Sequence, residues 1–193
     1  MKKAQLPTLR VSVDKVLAHC EQVAGESATW TLVSALAEGA DRIAAWAALD
    51  RGWSLKVPLP FAKRRYIEDF DTPESRDEFA LLCERAENVW VVRPKAPLRR
   101  GYEAVGLDIV GRSDLLIAMW NGAAPEGPGG TASVIKSMLM CSKSVVWIDT
   151  RQGNRIRLLV PEHPAPSDSR AQVLRLGLET RLDRGKSTFL RSA

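Results

Sequence analysis

Apolar positions along the chain fall into two alternating kinds of pattern. Six short runs are rich in β-branched and aromatic residues and read as strands: "TLVSAL" (31–36), "LKVPLP" (55–60), "VWVVRP" (89–94), "LLIAMW" (115–120), "SVVWID" (144–149) and "RIRLLV" (155–160). Between most of them apolar residues recur at helical spacing. Val13, Val16, Leu17, Cys20, Val23 and Ala24 share one stripe, and Ala40, Ile43, Ala44 and Ala47 share another that stops before Gly52. Phe79, Leu82, Cys83 and Ala86 form a third, with Thr72 as its N-cap and Pro73 at the first helical position. Val105 and Ile109 mark a fourth helix; Val134, Ile135, Met138 and Leu139 mark a fifth. Ala171, Leu174, Leu178 and Leu182 make a short final one.

Strands that are apolar throughout and alternate with helices predict an α/β fold, a mostly parallel sheet covered on both faces. The last strand departs from that scheme. Gln152-Gly153-Asn154 is a turn signal between two strands, so "RIRLLV" is predicted as an antiparallel edge hairpin. A doubly wound domain normally opens with a strand feeding the first helix. "MKKAQLPT" is too short and too polar to supply it, so a missing first strand is expected. Residues 1–160 read as one domain, and 161–193 as a basic linker with a short helix, frayed from 185 onward.

With 193 residues, 45% of them hydrophobic, one sizeable core is affordable. No apolar run approaches the ~18 residues of a membrane span, and "MKKAQLPTLR" lacks the apolar stretch of a secretory signal. Cys20, Cys83 and Cys141 lie far apart on or beside helix stripes, and read as buried free thiols of a cytoplasmic protein. His19 and His163 are the only histidines, so neither a metal nor a cofactor is expected. The net charge of +5 is confined to the end of the chain. Residues 1–150 carry 19 basic and 19 acidic side chains, against 9 and 4 in 151–193. That distribution reads as a solvated basic appendage rather than a nucleic-acid surface.

In a parallel sheet, ligands bind at the carboxyl ends of the strands. Three junctions there carry candidate chemistry. "SALAEGADR" places Ser34, Glu38, Gly39, Asp41 and Arg42 between a strand and a helix, where Ser34 or the following amides suit a phosphate or ribose. The bland alternative is that Glu38 or Asp41 complements the helix dipole. "VPLPFAKRRYIEDF" reads as a long loop whose Lys63, Arg64, Arg65 and Tyr66 suit a phosphate or a base, or else one that buries Tyr66 and Phe70. "WNGAAPEGPGGTASVI" brings Gly129 and Gly130 to a helix N-terminus opened by Thr131, with Asn121 just after the strand. Bare amides and the helix dipole there favour an anion. The stretch matches neither the dinucleotide fingerprint nor the Walker motif.

Together, "SALAEGADRIAAWAALDRGW", "VPLPF…Y…DF" and "GYEAVGLDIVGRSDLLIAMWNG…GPGGTASVI" resemble the SLOG superfamily over roughly residues 12–150. These are Rossmann-like three-layer domains, related to the DNA-processing protein domain and to the "lonely guy" phosphoribohydrolases, once named lysine decarboxylases. The resemblance implies ligand contacts at Ser34, Gly39 and Asp41, phosphate binding by Gly129, Gly130 and Thr131, and Tyr66 at the same mouth. It also implies a homodimer paired through helices.

The phosphoribohydrolases carry PGGxGTxxE, and that glutamate serves hydrolysis. Here Thr131 is followed by Ala132, Ser133 and Val134, with no carboxylate on that turn. Removing a general acid/base costs ~10²–10⁴ in rate. The expectation is therefore a protein that binds or senses a nucleotide-like small molecule rather than an enzyme. Three alternatives stay open: a phosphoribohydrolase using Glu38, Asp41 or Glu126, a DNA-binding module, and a degenerate interaction domain.

Overall fold

The computed structural model describes residues 6–25, 27–93, 101–123, 130–163 and 169–184. Helices and strands alternate through it. Helix α1 (Leu6–Ala24) leads to β1 (Thr31–Val33), α2 (Ala40–Leu49) and β2 (Ser54–Leu59). Next come α3 (Lys63–Tyr66), a 3-10 turn at Ile67–Asp69, α4 (Pro73–Arg85) and β3 (Asn88–Val91). The second half runs α5 (Gly101–Arg112), β4 (Leu115–Trp120), α6 (Thr131–Met140), β5 (Ser144–Asp149), β6 (Arg155–Leu159), α7 (Arg170–Glu179) and β7 (Asp183–Arg184).

The strands form two sheets. One has the order β1-β2-β3, all parallel. The other has the order β4-β5-β6-β7, with β4 parallel to β5 and β6 antiparallel to β5. The hairpin arises as its sequence predicts: Gly153 and Asn154 both take positive φ, 61° and 60°, and Asp149 pairs with Arg155. Alternation along the strands covers both faces of the second sheet. Val146 and Ile148 of β5 pack into a cluster with Leu9, Val13 and Leu17 of α1, whereas Val145 and Trp147 join Ile135 and Met138 of α6. All six residues of β5 are buried.

Local chemistry explains most boundaries. Thr72 Oγ1 accepts the Ser75 amide at 3.2 Å with Pro73 at the first helical position, which starts α4. Strand β1 is shorter than its apolar run. The Ser34 amide still donates to the Lys56 carbonyl, but Pro58 two residues on has no N–H to continue the ladder, and Leu36 turns to φ 59°. The stretch expected as a loop after β2 contains α3 and the 3-10 turn, held by Tyr66 and Phe70, each 3% exposed and packed on Phe79.

Two expectations need correction. The C-terminal helix is docked rather than a solvated appendage. Leu174 and Leu178 of α7 are buried, Leu178 within the α1 cluster, and β7 pairs with β6. Its apolar stripe outweighs the basic composition around it. Cys141 is exposed, because it follows the last turn of α6, whereas Cys20 and Cys83 are buried. Among the described residues no helix is long and apolar enough to cross a membrane.

Candidate functional site

The site begins where β1 ends. Ser34 is buried, and its hydroxyl oxygen accepts the Leu36 amide at 3.2 Å, which folds the chain back toward α2. Gly39, with φ 88°, caps α2, a backbone conformation that side-chain-bearing residues rarely adopt. Asp41 lies in the first turn of that helix and accepts the Ala37 amide at 3.3 Å. Burial holds its carboxyl above the usual carboxylate range, opposed by the Ala37 amide, Ser34 and Arg42.

The second half of the site is the start of α6. Gly130 is its N-cap and has no side chain with which to cap the helix; its carbonyl accepts the Ser133 and Val134 amides at 3.0 and 3.2 Å. Gly130 and Thr131 are exposed. Helix α5 lies beside it, and a Cβ on Gly106 would stand 3.0 Å from Val134 Cγ2, so this glycine permits close packing of α5 on α6. Tyr102, near the start of α5, donates its hydroxyl to the Asp69 carboxylate; its own pKa is pushed up to about 12 by burial and by that partner. Its ring lies 6.3 Å from that of Tyr66.

These pieces surround one cavity of about 1030 Å³. Ser34, Asp41, Tyr66, Gly130 and Thr131 all border it, so the structure gathers half of the sequence-predicted site in one place. Tyr102, Gly106 and Met119, which are not among the predicted ligand contacts, border it too. Their signal was weak. An aromatic and a glycine on a helix stripe look like core residues until the facing helix is known.

The other predicted residues do different work. Arg42 is 3% exposed: Nε donates to the Leu36 carbonyl at 3.1 Å, and Nη1 reaches the Ser75 carbonyl and hydroxyl and Glu78 at 2.8, 2.7 and 3.1 Å. Its guanidinium carbon stacks 4.4 Å from the Phe70 ring centre. These contacts make it a structural clamp between α2 and α4. Glu38 accepts the Ser75 hydroxyl, and Asn121 Oδ1 accepts the Ala123 amide at 3.0 Å in a local turn. Glu38, Gly39, Arg42 and Asn121 do not border the cavity. Gly129 lies outside the described residues, as does Glu126. Of the basic loop residues, Arg65 pairs with Asp69 at 2.8 Å, and the Lys63 ammonium lies 6.0 Å from the Phe79 ring centre.

Among the described residues, no group of three or more His, Cys, Asp or Glu side chains is placed to hold a metal ion. Comparison with protein-family models and with curated proteins finds no match.

Proposed function

We propose that the cavity between β1 and β4 binds a nucleotide-like small molecule, with its phosphate at the N-terminus of α6. The observation that carries this reading is the convergence of an uncapped helix N-terminus, Gly130–Thr131, with Ser34 and Asp41 on one cavity. The N-terminal turn of a helix and the positive end of its dipole favour an anion. A carboxyl that burial keeps from ionising at its usual pH repels that anion less, and can donate a hydrogen bond while protonated. The exposed ring of Tyr102 offers a face for a base, a role its partly exposed position suits better than that of the buried Tyr66. The SLOG-like order of motifs supports the same assignment.

Of the three carboxylates that could serve a hydrolytic version of this site, Asp41 borders the cavity, and Glu126 lies outside the described residues. Glu38 is bonded to Ser75 away from the cavity.

The test is isothermal titration of the full chain with adenosine, guanosine, cytidine and uridine monophosphates, beside Thr131→Val. Saturable binding of at least one, weakened about tenfold or more by loss of a hydrogen bond to a charged group, supports the reading. No heat with any of the four contradicts it. Release of free base during the titration would move the assignment to hydrolysis.

A further inference from the structure

We infer that Arg151 grips the anion at the start of α6, and that the ligand therefore carries a terminal phosphomonoester. This rests on the anion reading of that helix and deepens it by naming the group that is read.

The end of β5 lies beside the start of α6. Helix α6 follows the carboxyl end of β4 and leads back to Ser144 at the amino end of β5, so it runs opposite to β5. The register pairs Trp120 with Asp149, and the Thr150 amide donates to the Trp120 carbonyl, so the two strands end at one level. Alternation fixes the face. Val145 and Trp147 pack in one cluster with Ile135 and Met138 of α6, and Asp149, two residues on, lies on the same side of the strand.

Three charged side chains meet at that strand end. Asp149 is fully buried; its Oδ1 accepts the Arg151 amide at 3.0 Å, and its Oδ2 accepts no hydrogen bond. Arg151 Nε stands 3.7 Å from Oδ1, and Arg157 Nη1 3.7 Å from Oδ2. Arg157 is engaged further. Its guanidinium stacks over the Trp147 ring at 5.1 Å, and its Nη2 donates to Gln152 Oε1 at 2.7 Å. Arg151 is not. Among the described residues its Nη1 and Nη2 donate no hydrogen bond, and its side chain is 57% exposed. One carboxylate against two guanidiniums leaves a positive charge beside the positive end of the α6 dipole.

A glycine fixes where that open fork lies. A Cβ on Gly122 would overlap Arg151 Nη2 and stand 2.9 Å from its Cζ, and Gly122 takes φ 71°. The guanidinium therefore lies against the backbone that leaves β4, with Nε turned to Asp149. A side chain at position 122 would push it away. An arginine already seated loses less rotamer freedom when its donors take an anion.

The group that fits follows from counting oxygens. Arg151 does not border the cavity, whereas Gly130 and Thr131 do, so the arginine meets the anion from the rim. Its fork presents two parallel N–H donors, the geometry of bidentate phosphate recognition. A phosphomonoester has three terminal oxygens and up to two charges, enough for the fork and the first turn of α6 together. A phosphodiester keeps two such oxygens and one charge, and serves only one of the two partners fully.

The test titrates the full chain with adenosine, guanosine, cytidine and uridine 5′-monophosphates, and with the 5′-methyl ester of each, which is a diester. The same titrations are run on Arg151→Ala and Arg151→Lys. The wild type should bind at least one monophosphate about tenfold or more tightly than its methyl ester. Arg151→Ala should lose about tenfold or more for the monophosphate, the size of a charge-assisted hydrogen bond, and no longer tell the two esters apart. Arg151→Lys should recover only part, since an ammonium keeps the charge without the fork. Two results overturn the inference while leaving the cavity reading in place: monophosphate binding by Arg151→Ala equal to that of the wild type, or a loss equal for both esters. A wild type that binds none of the four monophosphates overturns both.

Discussion

Arg42 is held by Ser75: Nη1 lies 2.7 Å from the Ser75 hydroxyl oxygen and 2.8 Å from its carbonyl oxygen. The pair joins the start of α2 to the first turn of α4. Glu78 completes the join by accepting both Arg42 and the Trp46 indole N–H, the latter at 3.0 Å. Arg42→Ala removes the donor to four acceptor atoms and leaves Glu78 and the Leu36 carbonyl short of partners. Denaturant unfolding should show a loss of about 2–4 kcal/mol, toward the low end for a buried ion pair because Glu78 is partly exposed. Arg42→Lys should recover little, since one ammonium does not reproduce the planar fork.

Asp41 makes stability depend on pH with a definite sign. The folded carboxyl keeps its proton above the ordinary value of 3.8 because burial disfavours the charge. Between the unfolded and folded pKa values the fold binds more protons than the unfolded chain, so stability falls as pH rises through that window. Asp41→Asn has no such proton to lose. Apart from any constant offset from altered contacts, its stability relative to the wild type should grow as pH rises above about 3.8. Urea unfolding of both proteins at a series of pH values checks this; a difference that is flat or falls with pH refutes it.

Helix α7 meets α1 at Gly177. A Cβ there would stand 2.7 Å from Val23 Cγ2 and 3.0 Å from Val23 Cβ, and closer still to Cγ1. Alanine at an ordinary exposed helix position would add about 1 kcal/mol of helix propensity over glycine. Here Gly177→Ala should instead destabilise by about 1–3 kcal/mol through overpacking. Val23→Ala in the same chain should recover much of that loss, a coupling measurable by a double-mutant cycle.

The sequence made the elements legible because strand runs and helix stripes are local patterns. Phe79, Leu82 and Cys83 are buried on α4 as their spacing predicts, and Thr72 caps it. What stayed hidden depends on partners distant in sequence. "TLVSAL" pairs over Thr31–Val33 only, because Pro58 on the neighbouring strand offers no amide. Arg42 stands among plausible ligand residues in sequence, yet Ser75, Glu78 and Phe70 claim it in space. Two sheet edges facing one cavity required β1 and β4 to be seen together.

The central claim is that the amides at Gly130 and Thr131 hold an anionic ligand in the cavity shared with Ser34 and Asp41. Native mass spectrometry of freshly purified protein, with Gly130→Asp beside it, tests this most directly. The account predicts that added nucleoside monophosphate gives a bound species with the wild type and none with the variant, whose carboxylate occupies the anion position. A wild type that stays unliganded throughout, or a variant that binds equally well, would contradict it.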